Sequence, residues 1–262
     1  MAWLSADAIF DPDRLGLAVV GIAAQLRDHD SGEHQHEMGQ LLFAQGGCIS
    51  IAFQNRLCIL PPARVAWIPP RTIHRAEMKE AVGYRSVYLG EAQVALLPTS
   101  IQVLETTPLL CAVLERMATA SFNTDWRRGP AAHLLGVCLD EIHRAPRTPT
   151  MLKLPLDHRL ACLPNNELPP SLKVLAADVG ASEKTISRIF KRETGLTYQQ
   201  WRQQWRFLKS IELLAQQGCL SSIAKELGFA SDSAFVAFFK SMTDLTPRAY
   251  MAASAMRAKT MS

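Results

Sequence analysis

The chain has no apolar run long enough to cross a bilayer. Its conspicuous early run, Leu15 to Ala24, falls well short of the roughly 20 residues that a spanning helix needs. That run also lacks the basic leader and cleavage context of a secretory signal. The six cysteines, Cys48, Cys58, Cys111, Cys138, Cys162 and Cys219, show no C-x-x-C spacing. This argues against a cysteine zinc cluster and against a secreted disulfide framework. The expectation is a cytoplasmic protein with no membrane partner and with reduced, buried thiols. An apolar content of 48% is ample for a buried core, and 262 residues suit one large or two ordinary domains.

What the chain does have is a duplicated pattern in its last third. Leu175 to Gly195, LAADVGASEKTISRIFKRETG, reads as two short helices joined by a tight turn. Leu175, Ala176 and Val179 share one helical face, and Gly180 supplies the turn. Ser182 then caps a second helix whose Ile186, Ile189 and Phe190 face inward. Lys184, Ser187, Arg188, Lys191 and Arg192 lie opposite, a mixture of hydrogen-bonding and cationic groups suited to base edges and phosphates. The pattern then returns. Ile223-Ala224 echoes Leu175-Ala176, Gly228 echoes Gly180, Ser231 echoes Ser182, and Phe239-Lys240 echoes Phe190-Lys191. Between the two copies, Thr197 to Gln217 reads as one helix, opened by a Thr197-x-x-Gln200 capping box and closed by Gly218. Its length of about 30 Å is close to the roughly 34 Å between successive major grooves on one DNA face. Charge follows the same division: from Pro169 onward thirteen Lys/Arg stand against seven Asp/Glu, and before it fifteen against seventeen. Clustered cations of this kind favour double-stranded DNA as a partner.

This arrangement, SLKVLAADVGASEKTISRIFKRETGLTYQQW followed by SSIAKELGFASDSAFVAFFKSMTDLTPRAY, resembles the AraC/XylS family of transcription regulators over roughly the last ninety residues. The resemblance includes the closing Thr246, Pro247 and Tyr250. It implies base reading by Lys184, Ser187 and Arg188 in the first unit and by Asp232, Ser233, Val236 and Ala237 in the second. The second set departs from the family, whose members often carry a long polar side chain where Ala237 stands. Here phosphate contact through Lys240, thymine-methyl contact or shape reading remains. On the linking helix, Trp201, Trp205 and Leu208 read as core. Arg202, Arg206 and Lys209 fall on an adjacent face, open to phosphate or solvent.

From Leu15 to Leu89 the reading is β. Ala18 to Leu26, Gly39 to Gln45, Ile49 to Phe53, Arg56 to Leu60 and Arg64 to Ile68 are apolar segments separated by Gly, Pro and Asn turns, the pattern of a small barrel or jelly roll. Within it, GEHQHEMGQLLFAQGG and WIPPRTIH resemble the two motifs of the cupin superfamily. His34 and His36 are placed on one strand face, and His74 follows the Pro-rich turn. Gln40 stands where cupins with a catalytic metal usually carry Glu, which weighs against an oxygenase or isomerase, the rival reading of this chain. Two readings of His34, His36, Gln40 and His74 stay open: a site for nickel, cobalt, zinc, copper or iron, or a hydrogen-bonded network shaping a metal-free effector pocket. Cys48 and Cys58 read as core residues.

Apolar residues at helical intervals over Pro108 to Ala118 and Pro130 to Ala145 suit either a homodimer contact, as the resemblance implies, or packing on the barrel. Arg144 to Pro170 carries six prolines and reads as a connector, with a short helix expected over Leu156 to Cys162. The expected fold is α+β: a cupin-like β-barrel or jelly roll over 1–95, a helical dimerisation segment over 96–145, a Pro-rich linker over 146–170, and an all-α domain with two helix-turn-helix motifs over 171–262. The expected function is a DNA-binding regulator answering to a small-molecule or metal effector, with RNA polymerase a further partner.

Overall fold

The apolar segments become strands of antiparallel sheets in the computed structural model, which describes residues 3–5, 10–78, 82–148, 150–161, 163, 167–216 and 218–252. Pro149, Cys162, Pro164 and Gln217 lie outside the described residues. The chain packs as two units, one built on residues 1–53 and 60–150 and the other on 54–59 and 151–251.

In the first unit, β1 (Val19–Leu26), β2 (His29–Asp30), β3 (Gly39–Ala44) and β4 (Ile49–Phe53) precede β5 (Arg56–Leu60), most of which belongs to the second unit. β6 (Arg64–Ile68), β7 (His74–Met78), β8 (Val82–Leu89) and β9 (Gln102–Glu105) complete the first unit's strands. One sheet runs β1-β8-β3-β6-β9, and β4, β7 and β2 are neighbours in another. Strands distant in sequence lie side by side, as a jelly roll requires. Its helices are α1 (Glu91–Val94), between β8 and β9, then α2 (Pro108–Ala118) and α3 (Gly129–Arg144).

The first sheet is buried on both faces, and its period-2 alternation separates two environments. Val19, Leu41, Phe43, Val87 and Leu89 pack with Leu110, Leu114, Met117, Leu135 and Cys138 of α2 and α3. The alternate residues Ile22, Gln40, Leu42, Tyr84 and Tyr88 line a cavity. Arg85, on the helix-facing side, is 2% exposed and is held by Glu115 of α2 at 2.8 Å and by Gln45 Oε1 at 2.8 Å. A buried guanidinium needs such partners, because desolvating a charge is expensive without them.

The second unit pairs β5 with β10 (Met151–Lys153), inside the Pro-rich segment, where a 3-10 turn also forms over His158–Leu160. Its helices are α4 (Leu172–Asp178), α5 (Glu183–Thr194), α6 (Tyr198–Ala215), α7 (Leu220–Glu226) and α8 (Asp232–Thr243). The two turns place Gly180 and Gly228 at φ values of 63° and 69°, a region that penalises a Cβ. Ser171, Ser182, Thr197 and Ser231 cap α4, α5, α6 and α8, and Thr197 and Gln200 form the capping box. Trp201 of α6 lies against Phe190 and Tyr198 and donates from Nε1 to the Lys153 carbonyl at 2.7 Å. Farther along α6, Phe207 meets Phe239, which also contacts Phe235 and Tyr250.

The expectation of buried thiols holds for Cys58, Cys111 and Cys138, whereas Cys48 is half-buried and Cys219 exposed, because Cys219 stands ahead of α7 at its N-cap. Among the described residues, no helix is long and apolar enough to cross a membrane.

Two glycines test the packing of the first unit. A Cβ on Gly21 of β1 would lie 1.9 Å from the Met117 carbonyl oxygen, so Gly21→Ala is expected to cost about 1–3 kcal/mol. Gly136 of α3 is exposed with open space around its Cβ position, so Gly136→Ala is expected to gain about 0.5–1 kcal/mol. Chemical denaturation of the two variants should shift in opposite directions.

Candidate functional site

The alternate residues of the first sheet, together with β7 and the loop before β3, line a cavity of about 740 Å³. Much of its lining is apolar, from Phe10, Ile22, Leu42 and Met78 among others, and one wall carries His34, His36, His74 and Gln40. His34 and His36 are not on a strand as expected. They sit in the loop that leads into β3, where Gly32 takes a left-handed turn. His34 is nonetheless locked beside the start of β7, because its N–H and that of His74 exchange hydrogen bonds with each other's carbonyl at 3.0 and 2.9 Å.

The three imidazoles are oriented alike. Nδ1 of His34 lies 3.0 Å from the Gly32 carbonyl, Nδ1 of His74 lies 2.8 Å from that of Thr72, and Nδ1 of His36 contacts that of Met38. A carbonyl oxygen accepts and never donates, so each Nδ1 carries the hydrogen, and in the neutral ring Nε2 keeps a lone pair. One ligand atom from each ring lies within 4.8 Å of the other two. Burial pushes His74 down to about 4, against the opposing pull of its bond to Thr72, so this ring is neutral at physiological pH.

Gln40 is fully enclosed, at 1% exposure, beside a hydroxyl cluster on β8. The register pairs Gln40 with Tyr88 and Leu42 with Ser86, which brings Tyr84, Ser86 and Tyr88 around the amide. Its Nε2 donates towards Ser86 Oγ at 2.9 Å, Tyr88 OH at 3.2 Å and Tyr84 OH at 3.3 Å, while Oε1 faces His36 Nε2 at 3.2 Å. Burial raises both phenols above their ordinary range. The hydroxyl cluster was not singled out from the sequence, although Tyr84-x-Ser86-x-Tyr88 alternates as one strand face would. His29 lines the same cavity from β2, and neither Cys48 nor Cys58 lines it.

On the second unit, α5 buries Ile186, Ile189 and Phe190 and leaves Lys184 and Arg188 exposed, with Ser187 half-buried beside them. Lys191 and Arg192 sit at the other end of the helix: Lys191 Nζ donates to the Gly195 carbonyl at 3.0 Å, and Arg192 pairs with Glu193 at 2.5 Å. On α8, Ser233, Ala237 and Lys240 are exposed and Val236 is half-buried, while Asp232 accepts from Ser221 Oγ at 2.6 Å. The cations of α6 turn inward. Lys209 is buried against Glu212 at 3.1 Å, Arg206 lies over the Phe229 ring at 5.0 Å, and Arg202 donates to the Pro169 carbonyl at 2.6 Å. Lys209 is therefore not a phosphate contact, because its ammonium is spent on a buried ion pair.

A lined cavity in a jelly roll and two helix-turn-helix units define a DNA-binding protein with a ligand-binding domain. Residues 16–146 match the AraC-like ligand binding domain family, and residues 175–253 match a helix-turn-helix domain family. The chain belongs to the AraC family of transcription regulators. It is similar to the HTH-type transcriptional regulator NimR of Escherichia coli strain K12, 28% identical over 253 residues that cover 93% of this chain and 91% of that one. Among solved structures, unsaturated fatty acid-bound ToxT of Vibrio cholerae strain SCE256 is similar over 89% of this chain and 94% of its own, at 12% identity and a TM-score of 0.37. The DNA-binding domain of AdpA in complex with a target DNA is 29% identical over 39% of this chain and 95% of its own, with a TM-score of 0.35.

Gln40→Leu would leave Tyr84, Ser86 and Tyr88 without their central partner. A loss of about 1–3 kcal/mol in denaturation experiments is expected, partly restored by adding Tyr84→Phe, which removes one stranded hydroxyl.

Proposed function

We propose that this regulator is an effector-controlled switch whose effector occupies the barrel cavity and whose first helix-turn-helix unit supplies most of the base reading. The observation that carries this reading is the cavity of about 740 Å³, which joins an apolar lining to one convergent polar wall within the region that matches a ligand-binding domain. Occupancy changes transcription to the extent that the effector prefers one of two states of the protein, and the same preference is felt reciprocally by DNA.

Arg188 is the principal base reader in this proposal, since guanidinium binds guanine O6 and N7 through two hydrogen bonds. Lys184 and Ser187 assist it. Lys191 and Arg192, held at the far end of α5, contact phosphate. On α8, Asp232, Ser233, Val236 and Ala237 offer small or apolar surface to the groove and Lys240 contacts phosphate. A homodimer is supported by Leu109 of α2 and Val137 of α3, which are 52% and 38% exposed. RNA polymerase is the further partner, and the cytoplasm is the compartment that holds both it and the DNA. The barrel is a receptor and not a catalytic centre: Gln40 supplies a neutral amide in place of a carboxylate for proton transfer, and the similarity to a regulator extends along 93% of the chain.

Fluorescence anisotropy with a duplex selected from random sequence, compared with a scrambled duplex, tests this assignment. Arg188→Ala is expected to weaken the selected duplex by about 1–3 kcal/mol more than the scrambled one. Lys240→Ala should weaken both alike and reduce the salt slope by about 1. Equal losses on both duplexes for Arg188→Ala would make it a phosphate contact.

A further inference from the structure

We propose that His34, His36 and His74 form a binding site for one divalent transition-metal ion on the polar wall of the barrel cavity. The proposal deepens the effector-switch reading and rests on it for its regulatory meaning, though not for its chemistry.

Three observations carry it. First, the Nδ1 atom of every ring is committed to a backbone carbonyl two residues away: Gly32 for His34, Met38 for His36 and Thr72 for His74. This is the arrangement that fixes the tautomer and aim of a metal-ligating histidine, and it leaves three Nε2 lone pairs for one ion. Second, the three rings crowd together, with centroids 4.3, 5.2 and 6.2 Å apart, and their ligand atoms lie within 4.8 Å of one another. Bonds from zinc to imidazole of about 2.0–2.1 Å place two ligating nitrogens about 3.0–3.4 Å apart, a gap that modest ring rotation closes.

Third, Gln40 stands beside the rings: with His36 Nδ1 on the Met38 carbonyl, His36 Nε2 faces Gln40 Oε1 at 3.2 Å. The amide nitrogen is meanwhile held by Ser86, Tyr88 and Tyr84. A metal ion beside them would take both the ring nitrogen and the amide oxygen as ligands. Three imidazoles with an amide oxygen select among nickel, cobalt, zinc, copper and iron and disfavour magnesium and calcium. His34, the least buried of the three, gives the ion its route in.

The test uses the full chain, prepared without a polyhistidine tag, stripped with chelator and titrated with cobalt(II) while its visible ligand-field absorption is recorded. The expected result is saturation at one ion per chain, displaced by zinc or nickel. His34→Ala, at the accessible edge of the site, should weaken binding by at least about tenfold with an unchanged circular dichroism spectrum. Gln40→Glu, which places a carboxylate beside the rings, should tighten it by about tenfold or more. Absence of the bands, or identical titrations in all three proteins, would overturn the proposal and leave the histidines as a hydrogen-bonding wall for an organic effector. The spectrum needs no DNA, so the two readings fail separately. A saturating cobalt site whose occupancy leaves operator affinity unchanged supports the metal site and counts against its regulatory role.

Discussion

A sheet covered on both faces has no side to give to water, and this constraint shapes the whole sensor domain. Along β3 the side chains alternate between α2 and α3 on one side and the cavity on the other, so Leu41 and Phe43 are core while Gln40 and Leu42 are lining. A slip of one residue would put the amide of Gln40 among leucines and push Leu41 into the polar wall, which is why register is strongly specified here. β8 obeys the same rule. Val87 and Leu89 join the helix-facing core, and Tyr84, Ser86 and Tyr88 gather around Gln40. The chemistry of the cavity is thus a direct product of strand pairing.

The second unit is organised by a different economy of burial. α6 spends its aromatic residues on both neighbours, Trp201 against Phe190 and Phe207 against Phe239, so one helix carries the cores of both helix-turn-helix units. Its cations are drawn inward by the same packing, whereas Lys184, Arg188, Lys191 and Arg192 of α5 and Lys240 of α8 stay exposed. The difference between the two units follows from their helices: α5 surrounds a buried stripe with cations, whereas α8 presents small residues around Phe235 and Phe239.

Much of this architecture was legible in the sequence wherever local pattern and burial agree. β1, β3, β4, β5 and β6 lie within the segments marked by apolar runs and turns, and the helix caps at Ser182, Thr197 and Ser231 are visible as motifs. β8 was harder to delimit because Arg85 and Ser86 interrupt its apolar run, and their burial depends on Glu115 and Gln40, distant in sequence. β7 turns His74, Ala76 and Met78 inward, a face too weakly apolar to stand out. β10 is three residues within a Pro-rich segment, and its pairing with β5 has no local signature. The histidines were found by motif, yet their shared orientation depends on carbonyls that belong to loop geometry.

That orientation bears on how a ligand in this cavity can act as a switch. His34 and His36 belong to the loop before β3 and His74 to the start of β7, so whatever binds all three rings joins two segments far apart in sequence. The backbone already ties these segments together: besides the paired hydrogen bonds of His34 and His74, Arg71 N–H donates to the His36 carbonyl at 2.8 Å and Ser31 N–H to the Ala76 carbonyl at 3.0 Å. A ligand present at a hundred times its dissociation constant stabilises the joined state by about 2.7 kcal/mol. Coupling between sites in proteins is typically about 1–3 kcal/mol, so binding at this wall releases enough free energy to drive a regulatory change, provided the joined state is also the one that DNA prefers or rejects.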